Sequence, residues 1–230
     1  MEFDEASRLV TTIKHWHHRF EIHPGVITPG SYDPGFLLDM LSLPSDLSGQ
    51  RVLDIGPSDG FFSLAARRLG AHVVAVDYRS KDAHGFGVME RISGEPFDYH
   101  CSNLYDLSAK TLGTFDHVIF LGVLYHLPDM VKALAIVRSL CHGTMYLESH
   151  AANDIEQNVA LARYYRHDAL AGDITNFWSP NAACIRDMAQ DCAFDLVSDT
   201  TWGDRYLGRY TVNEDPARKR KLQLGYGLLR

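Results

Sequence analysis

The chain has 230 residues, 46% hydrophobic and 22% charged, a globular composition long enough for one domain with a substantial core. Its 22 Lys and Arg residues against 29 acidic residues give a formal charge of −7, which weighs against a protein that grips nucleic-acid phosphates with a broad basic face. No apolar run approaches the ~18 residues of a membrane span, and the first residues lack the pattern of a signal peptide.

The leading part of the chain is predicted to be helical. Apolar residues recur at helical spacing over residues 4–19, which predicts an amphipathic helix. After two Pro-Gly turns, residues 36–43 form a short apolar helix that should stop at Pro44. We therefore assign residues 1–49 to an N-terminal helical cap and residues 50–230 to the main domain.

From residue 51 onward the sequence alternates apolar strands with helices. Strands are predicted at 51–55, 72–76, 97–101, 115–121 and 144–148, and helices at 61–69, 86–92 and 130–140. Repeated strand–helix–strand units imply a parallel sheet covered on both faces. The predicted fold is α/β, with a Rossmann-like doubly wound sheet.

The C-terminal third departs from this alternation. Residues 150–180 form a polar and aromatic insertion, and a helix is predicted to start at Ser179-Pro180. Two strands at 193–199 and 205–212 are separated by a short connection, which predicts an antiparallel hairpin. The sheet is therefore expected to be mostly parallel, with an antiparallel C-terminal hairpin. The basic run at 218–221 is predicted to be a solvated tail, with an RNA contact as the alternative.

A turn rich in glycine joins the first strand of the domain to the next helix. Its glycines are spaced G-x-x-x-G, not G-x-G-x-x-G as in nicotinamide sites, and Asp54 precedes them. A carboxylate repels a pyrophosphate and attracts a cation, so the turn is predicted to hold a zwitterionic or cationic ligand. The residues assigned to this contact are Asp54, Gly56, Pro57, Ser58, Gly60 and Phe61.

The ends of the following strands carry further candidate ligand contacts. Asp77 ends the second strand about 20 residues past the turn, the placement that grips ribose hydroxyls. After the third strand, Asn103 and Leu104 could offer a polar group and an apolar wall to an adenine ring, although Asn is also a common turn former. The remaining assigned cofactor contacts are Tyr78, Leu121 and Gly122.

Together the Leu-Asp-Ile-Gly-x-x-x-Gly turn, the acidic end of the second strand and the terminal hairpin resemble class I S-adenosylmethionine-dependent methyltransferases over residues 50–212. A more particular resemblance, to the bacterial tRNA wobble-uridine methyltransferase and carboxymethyltransferase family, rests on residues 122–126, 16–21 and 176–181. The resemblance implies S-adenosylmethionine as the cofactor. Where that family has a lysine, this chain has His17 or His18, which argues against the carboxylated form of the cofactor.

Methyl transfer from a sulfonium requires the acceptor to be held in line, an effect worth up to ~7–11 kcal/mol. A hydroxyl or ammonium acceptor must also lose a proton, for which His is the usual base near neutral pH. The candidate catalytic residues are Tyr125, His126 and His150. Tyr125 is expected to shape the pocket, because its ordinary pKa of ~10 is too high for a base. Either histidine could instead have a structural or solvated loop role.

Four residues are assigned to the acceptor: Trp16, Glu148, Phe177 and Trp178. For each of the aromatic residues among them, ordinary core packing is the alternative explanation. Four functions are weighed. The first is a methyltransferase acting on a small metabolite, which the charge favours, and the second is an enzyme that methylates tRNA, which the family resemblance favours. The third is a non-catalytic protein that retains the fold and its ligand, and the fourth is a nicotinamide-dependent oxidoreductase. Oligomeric state and the methylated atom are not predicted.

The cysteines and histidines give no metal signature. Four scattered cysteines without a C-x-x-C pair predict reduced thiols and a cytoplasmic location. His15 and His18 would share a helical face, but no acidic or Cys partner is placed beside them. No metal site is therefore predicted.

Overall fold

The computed structural model describes residues 1–226, and the chain divides into two compact units, Met1–Asn103 and Leu104–Arg230. The predicted division at residue 50 stays a prediction, and residues 227–230 of that predicted domain lie outside the described residues. None of the helices within residues 1–226 is both long enough and apolar enough to span a membrane.

The first unit combines four helices and a short antiparallel ribbon with three parallel strands. Its elements are α1 (Phe3–Thr11), β1 (Glu21–His23), β2 (Val26–Ile27), α2 (Gly35–Leu41), β3 (Arg51–Ile55), α3 (Phe61–Arg68), β4 (His72–Asp77), α4 (Phe86–Ser93) and β5 (Asp98–Cys101). β3 pairs in parallel with β4, and β4 with β5, while β1 and β2 are antiparallel. The predicted strands and helices from residue 51 to residue 101 are confirmed to within one residue at each end.

The helix predicted over residues 4–19 is wrong in length, because α1 ends at Thr11. The hydroxyls of Thr11 and Thr12 donate to backbone carbonyls three residues earlier, at 2.8 and 2.6 Å, which satisfies the end of the helix locally. Trp16 and Phe20 are nevertheless buried, from an irregular segment that folds back on the unit. The apolar spacing correctly predicted that these side chains are buried, but the helix that it predicted for them is not present.

The second unit contains two parallel strands, an antiparallel hairpin and a separate ribbon. Its elements are α5 (Ala109–Leu112), β6 (Phe115–Leu121), α6 (Met130–Leu140), β7 (Cys141–His150), β8 (Ala162–Tyr164), β9 (Trp178–Pro180), α7 (Ala182–Asp191), β10 (Phe194–Trp202), β11 (Arg205–Val212) and α8 (Pro216–Tyr226). β6 and β7 are parallel, β11 pairs antiparallel with both β7 and β10, and β8 pairs antiparallel with β9. The predicted hairpin is confirmed.

Three elements in this unit differ from the prediction, and one of them is β10, which ends at Trp202 and not at residue 199. β7 is twice as long as the predicted strand 144–148, because it pairs with β6 from Cys141 onward and with β11 as far as His150. Ser179-Pro180 lie in β9 and not at the start of a helix. α7 begins at Ala182, where the Asn181 side chain accepts a hydrogen bond from the backbone N–H of Cys184 at 2.8 Å.

The basic run near the C-terminus, predicted to be a solvated tail, is helical. It lies within α8, where Arg218 pairs with Asp195 at 2.8 Å and Lys219 pairs with Glu214. These ion pairs hold two of its cations against acidic neighbours.

Candidate functional site

The turn after β3 is held in a left-handed backbone conformation at three positions. Gly56, Ser58 and Gly60 have φ values of 73°, 54° and 86°, a region that residues other than glycine adopt at a cost. The Gly56 N–H donates to the carbonyl of Val76 at 2.8 Å, and the Gly60 N–H donates to that of Pro57 at 2.8 Å. The predicted turn residues therefore lie together between the end of β3 and the first residue of α3, Phe61.

Gly60 has no room for a side chain. A Cβ added there would lie 2.2 Å from the Cε of Met89 and 3.0 Å from the Cδ2 of Phe86, both on α4. α4 therefore packs directly against the turn, and the glycine is required by contact as well as by its backbone angle.

Asp54 is a buried carboxyl group at the end of β3. It is 2% exposed and accepts a hydrogen bond from the Ser63 hydroxyl at 2.6 Å. Burial raises the pKa of Asp54 to about 7, although the Ser63 hydrogen bond and the charge of His18 act in the opposite direction. A bound cation would favour the ionised carboxylate.

Asp77, at the end of β4, is engaged by a residue that the sequence analysis did not identify. The carboxylate accepts hydrogen bonds from the backbone N–H of Arg79 at 3.0 Å and from its guanidinium at 3.3 and 3.4 Å. The guanidinium also lies 4.9 Å from the ring centroid of Tyr78. The Asp-x-Arg spacing is the only sequence signal of this pair. A ribose at Asp77 would have to share the carboxylate with Arg79.

Asp59 is a second residue that the sequence analysis missed. It lies inside the glycine turn, is fully buried, and accepts the backbone N–H groups of His17 at 3.1 Å and His18 at 2.7 Å. Its other oxygen lies 2.5 Å from Nδ1 of His18. The turn thus fixes the leading segment through one carboxylate. Among residues 1–226, no group of three or more His, Cys, Asp or Glu residues is placed to hold a metal ion.

Replacing Asp59 with Ala should lower the free energy of unfolding by at least about 1.5–3 kcal/mol, because a charge-assisted bond is lost and two backbone donors stay buried. Urea denaturation measures this change. Asp46→Ala is the control: its carboxylate accepts the Ser48 N–H at an exposed position, and stability should change little. Equal midpoints for the two variants would contradict the assigned role of Asp59.

Trp16, assigned to the acceptor, lies in the packed interior of the first unit. Its indole N–H donates to the carbonyl of Val10 at 3.0 Å, and its ring presses on Gly85, where an added Cβ would be 2.1 Å from Cζ3. This placement is core packing. A contact of Trp16 with the acceptor stays a prediction that the packing does not support.

The remaining predicted cofactor residues follow the strands β5 and β6. In the first unit Asn103 lies two residues past β5, and in the second unit a buried Leu104 opens a 3-10 turn. Leu121 ends β6, and the N–H of Gly122 (φ 69°) donates to the carbonyl of Glu148 at 3.0 Å. The ends of β6 and β7 therefore lie side by side.

Glu148, assigned to the acceptor, is already neutralised by an arginine from the hairpin. Both its oxygens accept from Arg205, through Nε and, at 2.7 Å, through Nη2. The guanidinium carbon lies 5.3 Å from the ring centroid of Tyr125. Burial raises the pKa of Tyr125, so its phenol stays protonated. No sequence signal identified Arg205 as the partner of Glu148, because 57 residues separate the two.

His150 lies at the carboxyl end of β7 and is mostly buried. Its Nδ1 is 3.4 Å from a carboxylate oxygen of Asp204, and its ring centroid is 5.9 Å from that of Tyr125. Burial lowers the pKa of His150, and the charges of Arg205 and Arg163 lower it further. The carboxylates of Asp204 and Asp154 act in the opposite direction. The imidazole is therefore neutral near pH 7 and able to accept a proton.

His126, the other candidate base, is tied to the insertion. Its Nδ1 lies 2.9 Å from the hydroxyl and 3.2 Å from the carbonyl oxygen of Thr175. Nearby, the N–H of Phe177 donates to the carbonyl of Tyr125 at 3.0 Å, and the Trp178 indole donates to that of Pro128 at 3.2 Å. These contacts favour a structural role for His126, Phe177 and Trp178 in fastening the insertion.

A cavity of about 430 Å³ opens beside His150 in the second unit. Its polar lining comes from the end of β7, the insertion and the hairpin turn: His150, Asn153, Asp154, Arg163, Tyr165 and Asp204. Of the two candidate bases, His150 lines this cavity and His126 does not. Its volume is in the range of small-molecule sites.

Residues 31–198 match the model of a family described as "Methyltransferase domain". Similar curated proteins include the ubiquinone biosynthesis O-methyltransferase of Xanthomonas euvesicatoria pv. vesicatoria, 34% identical over 114 residues, which are 49% of this chain and 48% of that protein. The protein of that name from Aromatoleum aromaticum is 35% identical over 104 residues, 45% and 44% of the two chains. The chain spans about half the length of the curated relatives it matches. They are named for ubiquinone biosynthesis and not for tRNA modification.

Solved structures establish the fold. The N-terminal domain of EvdMO1 with S-adenosylhomocysteine bound aligns with a TM-score of 0.69 at 18% identity, over 93% of this chain and 97% of that one. Magnesium protoporphyrin IX methyltransferase from Synechocystis PCC 6803, with bound S-adenosylmethionine, aligns with a TM-score of 0.58 at 18% identity, over 78% and 77%. The fold is Rossmann-like α/β, mostly parallel with antiparallel strands on the C-terminal side, as predicted.

Proposed function

Because this chain belongs to the methyltransferase-domain family, whose model matches residues 31–198, we propose that it transfers a methyl group from S-adenosylmethionine to an oxygen atom of a small molecule. The family match is the observation that carries this proposal. The names of the curated relatives support an oxygen acceptor.

The turn after β3 and the acidic residues at the ends of β3 and β4 fit this cofactor. A turn with three left-handed residues, in which Gly60 excludes a side chain, lets backbone approach a ligand closely. The buried carboxyl groups of Asp54 and Asp77 suit an ammonium group and ribose hydroxyls, respectively. When bound, S-adenosylmethionine supplies a methyl group already activated on a sulfonium. The chain itself must bind, orient and deprotonate the acceptor.

His150 is the proposed general base. With its Nδ1 proton directed at Asp204, Nε2 is the nitrogen that accepts a proton. Nε2 of His150 would take the proton of the acceptor O–H group as that oxygen receives the methyl group, which the bound cofactor would supply from its sulfonium. Tyr125, held under Arg205, shapes the surroundings of His150 and keeps its proton.

Calorimetric titration of the purified protein with S-adenosylhomocysteine, and separately with NAD, tests the cofactor. We expect binding of the first and none of the second. Labelled methyl from S-adenosylmethionine should then pass to small molecules in a metabolite extract. Label in tRNA instead, at a yield that falls as salt rises, would support the tRNA hypothesis; cofactor binding without transfer to either would support the non-catalytic one. Failure to bind S-adenosylhomocysteine would overturn the proposed function.

The raised pKa of Asp54 makes cofactor binding depend on pH. Below about 7 the carboxyl is largely protonated, and a cationic ligand favours the ionised form, so binding should release a proton and tighten as pH rises from 6 to 8. Calorimetry in buffers of different ionisation enthalpy measures the released protons. Asp54→Asn should abolish the release. If the unaltered protein and Asp54→Asn released the same number of protons on binding, Asp54 would not contact the cationic group of the ligand.

A further inference from the structure

Asn153, one of the residues that line the cavity beside His150, carries a buried hydrogen-bond acceptor without a partner. The side-chain amide nitrogen of Asn153 donates to the carbonyls of Gly203 at 2.9 Å and Arg205 at 3.1 Å. These two bonds fix the orientation of the amide, because a flipped amide would set its oxygen against two carbonyl oxygens. Within residues 1–226, the Oδ1 atom of Asn153 is buried and no hydrogen bond reaches it.

The unpartnered Oδ1 atom of Asn153 favours a ligand that donates a hydrogen bond. Buried polar atoms are nearly always hydrogen-bonded, and one that is not loses the interaction with water that it had in the unfolded chain. Oδ1 can only accept, so the missing partner is an O–H or N–H group. Asn153 and His150 line the same cavity, so a molecule bound there would lie next to both residues.

The charges at the cavity disfavour an anionic ligand. Two carboxylates, Asp154 and Asp204, stand against one guanidinium, Arg163. Asp154 already engages Arg163 at 2.9 Å, and Asp204 lies 3.4 Å from His150. A carboxylate or phosphate entering the cavity would find its only cation taken and a second carboxylate nearby.

We propose that this cavity is the acceptor site and that it selects an uncharged molecule with at least two hydroxyl groups, one meeting His150 and the other donating to Asn153. This inference rests on the proposed function. Asn153 is then a specificity-determining residue: the hydroxyl it holds is not methylated but places its neighbour against the base.

The test offers the full chain labelled S-adenosylmethionine and a panel of sugars, polyols and dihydroxyaromatic compounds, each with a carboxylated counterpart. A neutral compound should be methylated, with kcat/KM at least about tenfold above that of its carboxylated counterpart. Asn153→Leu should lower kcat/KM for the neutral compound by about tenfold or more, because it removes the bond to the substrate hydroxyl together with the bonds to the carbonyls of Gly203 and Arg205. Its affinity for S-adenosylhomocysteine should not change.

Two control variants match these changes. Asn158→Leu alters an exposed residue of the same insertion and should leave kcat/KM unchanged. Asp154→Asn should narrow the gap between neutral and carboxylated compounds, whereas Asp116→Asn, in an ion pair at the start of β6, should not.

Equal use of neutral and carboxylated compounds would overturn the inference, as would unchanged kinetics in Asn153→Leu. A protein that binds S-adenosylhomocysteine but methylates no neutral member of the panel would also overturn it. Loss of S-adenosylhomocysteine binding by the unaltered protein would instead reject the proposed function, so the two failures are distinguishable.

Discussion

Replacing His150 with Asn is expected to lower kcat by about 10²–10⁴-fold, the usual contribution of a general base, while the affinity for S-adenosylhomocysteine stays unchanged. The expected loss is large because His150 is the candidate base that lines the cavity. His126→Ala should have a smaller effect, since Thr175 already engages its Nδ1. Steady-state kinetics with the first identified acceptor, beside calorimetry, separate turnover from binding.

The pH dependence of kcat is a second test of His150 as the general base. Burial lowers the pKa of His150, and the base acts in its neutral form, so activity should be lost on acidification only below the ordinary histidine value of ~6.5. His142→Asn is a matched control, because this exposed histidine pairs with Asp116 near the start of β7. Full kcat in His150→Asn, or an unchanged acid limb, would remove His150 from the mechanism.

Gly60→Ala is expected to destabilise the protein by about 2–5 kcal/mol. Left-handed backbone costs an alanine about 1–2 kcal/mol, and the new methyl group overpacks against Met89 and Phe86, which typically adds about 1–3 kcal/mol. The displaced turn should also weaken binding of S-adenosylhomocysteine. Urea denaturation and calorimetry measure the two effects.

Gly94→Ala separates the backbone effect from the packing effect. Gly94 has a φ of 70°, but an added Cβ there would meet nothing within 4 Å. Gly94→Ala should therefore be destabilised only by the cost of the left-handed backbone. Its affinity for S-adenosylhomocysteine should not change. Equal losses in the two variants would show that contact with α4 is not what requires a glycine at position 60.

Local sequence patterns were sufficient for most of the elements. β6 and α6 begin and end where predicted, and the Asp129 side chain caps α6 by accepting the Lys132 N–H at 2.9 Å. Strand runs, caps and the glycine turn depend on residues a few positions apart, so their signal is present in any short window of the chain. The same locality explains the error in α1, whose apolar spacing continued into an irregular but buried segment.

The sequence by itself determined the alternation of strands and helices, the turn after β3 and the acidic ends of β3 and β4. Only the tertiary structure decided that Asp59 holds His18, that Arg205 neutralises Glu148, and that the cavity forms beside His150 rather than His126. These partners are 41 and 57 residues apart in the two pairs. The residues next to each partner in sequence do not predict these ion pairs. Each pair forms only when packing brings distant segments together and removes water from the charged groups.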